Sequence, residues 1–236
     1  EQIDPMNPCG EEMNWIASES ETGGTPGKVN SVHGNNPDLE SPELDRIVVI
    51  DNKTIQLFFT ESFDSLSAMK TNIYFVDQGI GGPNSVNLVY PDYKSLSLSF
   101  DNSFDLNTIY TLEITGGLTD CSGNEIINNN AAQFSIPELP EENDLVINEI
   151  LFNPLPEEVD FVEIYNRSKK TIDLKDVLVA SYDDEKLDFT AIETITNEGF
   201  LIFPQDYIVL TENVESLQAQ YITSNPNRFI EIDDLP

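Results

Sequence analysis

Short runs of alternating apolar and polar residues, cut apart by Gly, Pro, Asn and Asp clusters, dominate this chain and predict strands rather than helices. In residues 43–137 the runs are Arg46–Ile50, Thr54–Phe59, Asn72–Val76, Ser95–Phe100, Tyr110–Thr115 and Ala132–Ile136. Thr54–Phe59 places Ile55, Leu57 and Phe59 on one face, and SLSLSF does the same with Leu96, Leu98 and Phe100. Asn52-Lys53 reads as a tight turn, Ser65–Lys70 as one helical turn, and GIGGPN, YPDYK, FDNSFDLN and DCSGNE as the remaining turns. Short strands with a turn every 8–12 residues predict a β-sandwich.

A second set begins after the acidic, Pro-containing linker 138–144. Its predicted strands are Leu145–Phe152, Asp160–Asn166, Thr171–Leu174, Val177–Ala180, Phe200–Phe203, Tyr207–Leu210 and Arg228–Ile232. Asn213 is placed to cap a short helix reaching Tyr221, with Leu217 and Tyr221 on one face. Residues 1–42 differ: Asn, Pro, Gly, Ser and Glu prevail, and Trp15 is the large apolar side chain expected to anchor an extended tail in a neighbouring core. The fold class is therefore all-β: tandem β-sandwich modules at 43–137 and 145–236, Ig-like by the family resemblance that their residues carry, the second incomplete because no closing strand precedes Pro236.

Charge narrows the partners. Eight acidic residues face one basic in 1–42, twelve face four in 43–137, and twenty-three face six in 138–236, giving a net charge of −32. Such a chain repels polyanions, so no nucleic acid is expected as a partner, and anionic membrane surfaces are disfavoured. No run approaches the roughly 20 apolar residues of a membrane span, so no direct membrane insertion is expected. Glu1 stands mid-pattern with neither a basic nor an apolar leader region, so the chain reads as mature, trimmed or cut from something larger. The carboxylates serve solubility on one reading and Ca²⁺ binding on another.

Candidate chemistry is sparse. One His, His33, and two cysteines, Cys9 and Cys121, do not complete a zinc site. The cysteines are candidates for one disulfide, and with His33 for a nucleophile–base pair that no local motif supports. Asp183–Asp184 and Glu157–Glu158 are carboxylate pairs better read as solvated turns. Asp101, Asn102, Asp105 and Asn107 around one turn, and Asp120 with Asn124 around another, could hold Ca²⁺ or simply form Asx turns. Asn148, Glu149 and Glu163 are polar residues inside strands, with neighbouring loops or solvent as their expected partners. Asn52-Lys-Thr54 and Asn166-Arg-Ser168 fit the N-glycosylation pattern. Tyr90, Tyr93 and Tyr182 are candidates for a glycan-stacking platform.

Two stretches carry a family resemblance. LVINEILFNPLPEEVDFVEIYNRSKKTIDL, followed by PQDYIVLTEN and NRFIEIDDLP, resembles the opening of a bacterial lamin-tail domain. The residues in register are Ile147, Asn148, Glu149, Asn153, Pro154, Phe161, Val162, Glu163, Asn166, Ile172, Asp173 and Leu174. EQIDP, Trp15 and GGTPGKVNS in residues 1–40 resemble the end of such a domain. DNKTIQLFFTES and GGLTDCSGNEI within 43–137 resemble a bacterial Ig-like domain of the surface-layer protein type. The resemblance implies a non-catalytic structural or spacer fragment of a large secreted or cell-surface bacterial protein. Its first expected partners are neighbouring domains of the same polypeptide. Alternative readings are an adhesive module binding a surface glycan or protein, or an accessory domain of a secreted hydrolase whose catalytic domain lies elsewhere. No cofactor is expected, Ca²⁺ being the one candidate.

Overall fold

A computed structural model describes residues 1–7, 12–154, 159–223 and 225–235. The chain divides into two compact units: Glu1–Arg46 with Lys53–Ser103 and Thr111–Gln133, and Ile47–Asn52 with Phe104–Tyr110 and Phe134–Pro236. The fold is all-β. Its regular helices are single short pieces, α1 (Ser65–Ala68) and α2 (Val214–Gln220).

The first strands are β1 (Leu44–Asp51), β2 (Thr54–Phe59), β3 (Tyr74–Val76), β4 (Ser85–Leu88), β5 (Ser95–Ser99), β6 (Tyr110–Ile114) and β7 (Ala131–Phe134). They form two sheets, β1-β2-β5-β4 and β3-β6-β7. Alternation in the sequence becomes register here: Ile55 faces Leu98 and Leu57 faces Leu96 across β2 and β5. All four side chains are sealed from water. Burying each contributes about 1.5–3 kcal/mol relative to leaving it exposed. Tyr74 faces Ile114, and Val76 faces Leu112, in the second sheet. The Tyr74 hydroxyl donates to the Ala68 carbonyl (2.8 Å), so its burial leaves no polar atom stranded, and that burial raises its pKa. Asp64 caps α1 by accepting from the Ser67 amide. Strand β4 has no counterpart among the sequence-predicted strands. It is short and half-buried, wedged between two turn clusters that obscure its period.

The later strands are β8 (Leu145–Leu151), β9 (Phe161–Asn166), β10 (Ile172–Asp173), β11 (Leu178–Asp183), β12 (Asp188–Thr194), β13 (Leu201–Ile202), β14 (Tyr207–Thr211) and β15 (Phe229–Glu231). The main sheet runs β15-β14-β9-β8, with β10-β13 and β11-β12 as two-stranded pairs. Its core gathers Val162, Ile164, Ile208, Leu210 and Ile230 from one face of the main sheet, and Ile172, Leu174, Ile195 and Ile202 from outside it. Asn213 caps α2 as expected, its Oδ1 accepting from the Ser216 amide (2.8 Å). Leu217 is buried, while Tyr221 is nearly half exposed and meets the Phe161 ring edge-on. The sequence reading ends a strand at Ala180 and finds none before Phe200. In the structure β11 continues to Asp183 and turns back as β12. A bulge between Val179 and Ser181 breaks the two-residue period, which is why the pattern fades there.

The N-terminal segment corrects one expectation. Trp15 is not plugged into a neighbouring core: it is 62% exposed. What orders the described residues of 1–36 is polar. Asn14 is almost fully buried; its Oδ1 accepts from the Asp4 amide, and its Nδ2 donates to the carbonyls of Asp4 and Asn7. Asn7 Nδ2 donates to the Asn36 carbonyl, and Asn36 Nδ2 to the Met13 carbonyl. Gln2 and Trp15 bridge antiparallel through their backbones, leaving the indole outward. The Glu1 carboxylate accepts from the Ser31 hydroxyl and amide and from the Thr25 hydroxyl. These bonds, led by the Ser31 and Thr25 hydroxyls, hold its pKa down to about 2. The amides of Met6 and Asn36 lower that of Asp4.

Depressed carboxylate pKa values stabilise the folded segment above their ordinary values, and the gain disappears as pH falls through the folded value. Trp15, the sole tryptophan, reports on this segment. Its emission should stay constant from neutral pH to about 4.5 and change between there and about 2. A transition complete above 4.5 would mean that the Glu1 bonds do not form in solution.

Candidate functional site

The DCSGNE turn organises the one carboxylate cluster of the described residues. Asp120 is buried; its Oδ1 accepts from the amides of Gly123 (2.6 Å) and Asn124 (2.8 Å), and its Oδ2 from Asn124 Nδ2 (2.7 Å). Asn124 Nδ2 also reaches the Asp38 carbonyl, and the Ser122 hydroxyl donates to Asp38 Oδ2 (3.3 Å). These contacts draw the segment ahead of β1 against the turn. Carboxylate oxygens of Asp38, Glu61 and Asp120 then fall within 4.8 Å of one another. A cleft of about 410 Å³ lies beside them, lined in part by Asn36, Asp38, Glu61 and Lys94. The sequence reading paired Asp120 with Asn124 but missed Asp38 and Glu61, which are far away in the chain and carry no spacing signal.

The other sequence candidates do not converge. Asp101 Oδ1 accepts from Asn84 Nδ2, Asn102 Nδ2 donates to the Gly79 carbonyl, and the Asp105 amide donates to the Tyr110 hydroxyl, each a separate loop contact. Asn107 sits at φ 58°, the left-handed conformation that Asn tolerates in turns. Asp183 caps its own turn, accepting from the amides of Glu185 and Lys186 and pairing with the Lys186 ammonium at 2.7 Å. That pairing, more than the amide bonds, lowers its pKa and keeps it ionised, as suits a turn cap. Glu157 and Glu158 lie outside the described residues. His33 is exposed in a turn of the N-terminal segment. Cys121 is exposed and is not a free thiol, so it offers no thiolate nucleophile, and Cys9 lies outside the described residues.

Tyr90 and Tyr93 meet edge-on at 5.0 Å, and Phe63 and Phe59 continue the aromatic series inward at 6.4 and 5.2 Å. Tyr90 is 69% exposed at its outer end. Tyr182 stands opposite Phe189 across β11 and β12, rings 5.3 Å apart and both exposed, a partner that the sequence reading did not supply. Asn148 Nδ2 donates to Glu163 Oε1 (2.6 Å) on the exposed side of β8 and β9. Glu149 lies directly across from Glu163.

Asn166 has another role from the one that its Asn-Arg-Ser setting suggests. It is 0% exposed. Its Nδ2 reaches the carbonyls of Lys170, Ile202 and Phe203, while its Oδ1 accepts from the Ser168 amide and hydroxyl. A side chain so enclosed cannot be glycosylated in the folded protein. Asn52, by contrast, is exposed in the β1–β2 turn.

The linker is bound down. Lys170 Nζ pairs with Asp144 at 2.8 Å and Glu141 at 3.3 Å, and the Glu138 amide donates to the Thr171 carbonyl. The Arg167 amide bonds the Asp144 carbonyl at 3.0 Å. The Lys170 ammonium lowers the pKa of Asp144, and the Asp144 carboxylate raises that of Lys170.

Residues 36–136 match the family described as bacterial Ig-like domain, and residues 139–232 match the lamin tail domain family. Among curated proteins none matches the chain. Among solved structures, the N-terminal part of the bacterial S-layer protein SbsC is 17% identical, with a TM-score of 0.36 over 71% of this chain and 45% of that one. A longer S-layer SbsC structure is 13% identical, at the same TM-score, over 73% of this chain and 32% of its own. This chain thus spans less than half the length of these structures. A TM-score that low does not extend the likeness to function.

Two outcomes test the geometry. Asn166→Ala removes a buried donor from the Lys170, Ile202 and Phe203 carbonyls, of which Phe203 keeps the Asp206 amide, and should cost roughly 1–3 kcal/mol in urea unfolding; a loss below about 0.5 kcal/mol would mean that water replaces the amide. At the carboxylate cluster, Asp120 already spends its oxygens on three donors. The melting temperature should therefore be the same in EDTA and in millimolar Ca²⁺, whereas a rise of several degrees would assign a cation to the cluster.

Proposed function

From a chain that carries a bacterial Ig-like domain followed by a lamin tail domain, we infer a non-catalytic spacer of a large secreted or cell-surface bacterial protein. It holds neighbouring domains of the same polypeptide at a fixed separation. The observation that supports this most is the bonded linker. A spacer works best when the segments leading into its modules are ordered, and residues 138–144 are fastened to the module that follows them by Lys170, Thr171 and Arg167. No helix among the described residues is long and apolar enough to cross a membrane, so attachment to a surface would come from elsewhere in the polypeptide. A disulfide between Cys9 and Cys121 belongs to the same proposal, as a covalent staple suited to an oxidising exterior. Intact mass under non-reducing conditions should be lower by the two hydrogens that a disulfide gives up.

Amide relaxation tests the spacer reading. Residues 139–144 should show order parameters near those of strands, about 0.85, and Lys170→Ala should lower them towards about 0.6. The latch has a defined pH range. The contribution of Asp144 is present above its ordinary value of 3.8 and falls away below it; that of Lys170 is present below 10.5 and is lost as pH rises beyond. A linker already mobile at neutral pH would sink the reading.

The Tyr90–Tyr93 pair, exposed at Tyr90, favours a second reading, a glycan-binding module. A glycan array at physiological salt, with and without Ca²⁺, decides between them. Reproducible binding to one glycan class that Tyr90→Ala abolishes would replace the spacer reading with an adhesive one.

A further inference from the structure

The main sheet of the second module ends at β8, and among the described residues no strand pairs with its outer side. An edge strand offers unsatisfied amides and carbonyls to any extended chain that can lie beside it. In this sheet the edge is also apolar on the wrong side. Ile147 lies opposite Ile164, and Ile150 opposite Val162. Their partners are buried in the core, yet Ile147 is 60% and Ile150 53% exposed. The bulge between Ile147 and Glu149 explains how residues three apart share one face. The core-facing surface therefore continues past its own cover, and Phe152 is exposed just beyond the strand.

The opposite face of the same edge has the other deficiency. Glu149 and Glu163 stand directly across from each other, and like charges in that position repel. Asn148 donates one hydrogen bond to Glu163 but carries no charge. Around them, residues 138–236 hold twenty-three acidic against six basic side chains.

Both deficiencies are met by one kind of neighbour. A strand laid along β8 would point alternate side chains to the two faces. On one face they would meet Ile147 and Ile150, on the other Glu149 and Glu163. We propose that the outer edge of β8 receives an extended segment of a partner protein whose side chains alternate between apolar and basic. Backbone pairing supplies the docking, as in other strand-addition complexes, and the alternation supplies the selectivity. A second copy of this chain is the poorer occupant, because each copy carries −32.

The probe is a short synthetic peptide of alternating valine and lysine, titrated calorimetrically into the full chain at physiological salt. Two peptides serve as controls: valines and lysines in separate blocks, and valine alternating with glutamate. The alternating valine–lysine peptide should bind at least about tenfold more tightly than the block peptide, and the glutamate peptide should not bind. Ile147→Thr with Ile150→Thr, at two side chains more than half exposed, should keep the circular dichroism spectrum and weaken binding by about tenfold. Equal binding of the alternating and block peptides, or indifference to the double substitution, would reduce the effect to net charge and overturn the proposal. Self-association in light scattering that Ile150→Thr abolishes and the peptide does not compete for would instead give the edge to a second copy.

Discussion

Asn166 has no access to water, yet its amide faces three carbonyls and its oxygen two donors. The loop after β9 and the turn between β13 and β14 converge on that one side chain. These loop carbonyls lie around a fully buried side chain, and a buried carbonyl without a donor is costly. Ile202 carries one of the carbonyls that Asn166 holds, and the core residue Ile172 lies two positions beyond Lys170, which carries another.

The same device recurs where there is even less core. Asn14 does in residues 1–36 what Asn166 does in the second module, and Asp120 holds the turn that fixes Asp38. Asp64 and Asp183 cap turns in the same manner. This changes the meaning of the composition. A surplus of carboxylates reads as a solubility coat, but a good part of it consists of acceptors for loop amides. Carboxylates serve this purpose best while ionised; the Met6 and Asn36 amides lower the pKa of Asp4 in this way, whereas the Ser31 and Thr25 hydroxyls lead for Glu1 and the Lys186 ammonium for Asp183.

Legibility in the sequence followed the strength of the two-residue period. β2, β5 and β6 were readable because Ile55, Leu57, Leu96, Leu98 and Leu112 alternate without interruption. The Asn213 cap was readable because capping is local. β4 and β12 were not, the first for want of a clean period, the second because a bulge resets it. The candidate sites fared worse. Asp120 is legible from its turn, but Asp38 and Glu61 reach it only through tertiary folding; Trp15 reads as buried because a Trp in a polar stretch usually fills a neighbouring core, and the polar scaffold that orders its segment leaves no hydrophobic signature. Asn166 was noticed for a glycosylation pattern, whereas its structural role depends on Ile202 and Phe203, more than thirty residues away.

The latch at Lys170 gives dissolved salt two opposing effects. Counterions screen the mutual repulsion of a −32 chain and so favour compactness. The same counterions weaken the attraction between Lys170 and the carboxylates of Asp144 and Glu141. Adding salt therefore tightens the modules while loosening the segment ahead of β8. Resistance to heat and order in the segment ahead of β8 thus report on different charges, and salt moves them in opposite directions.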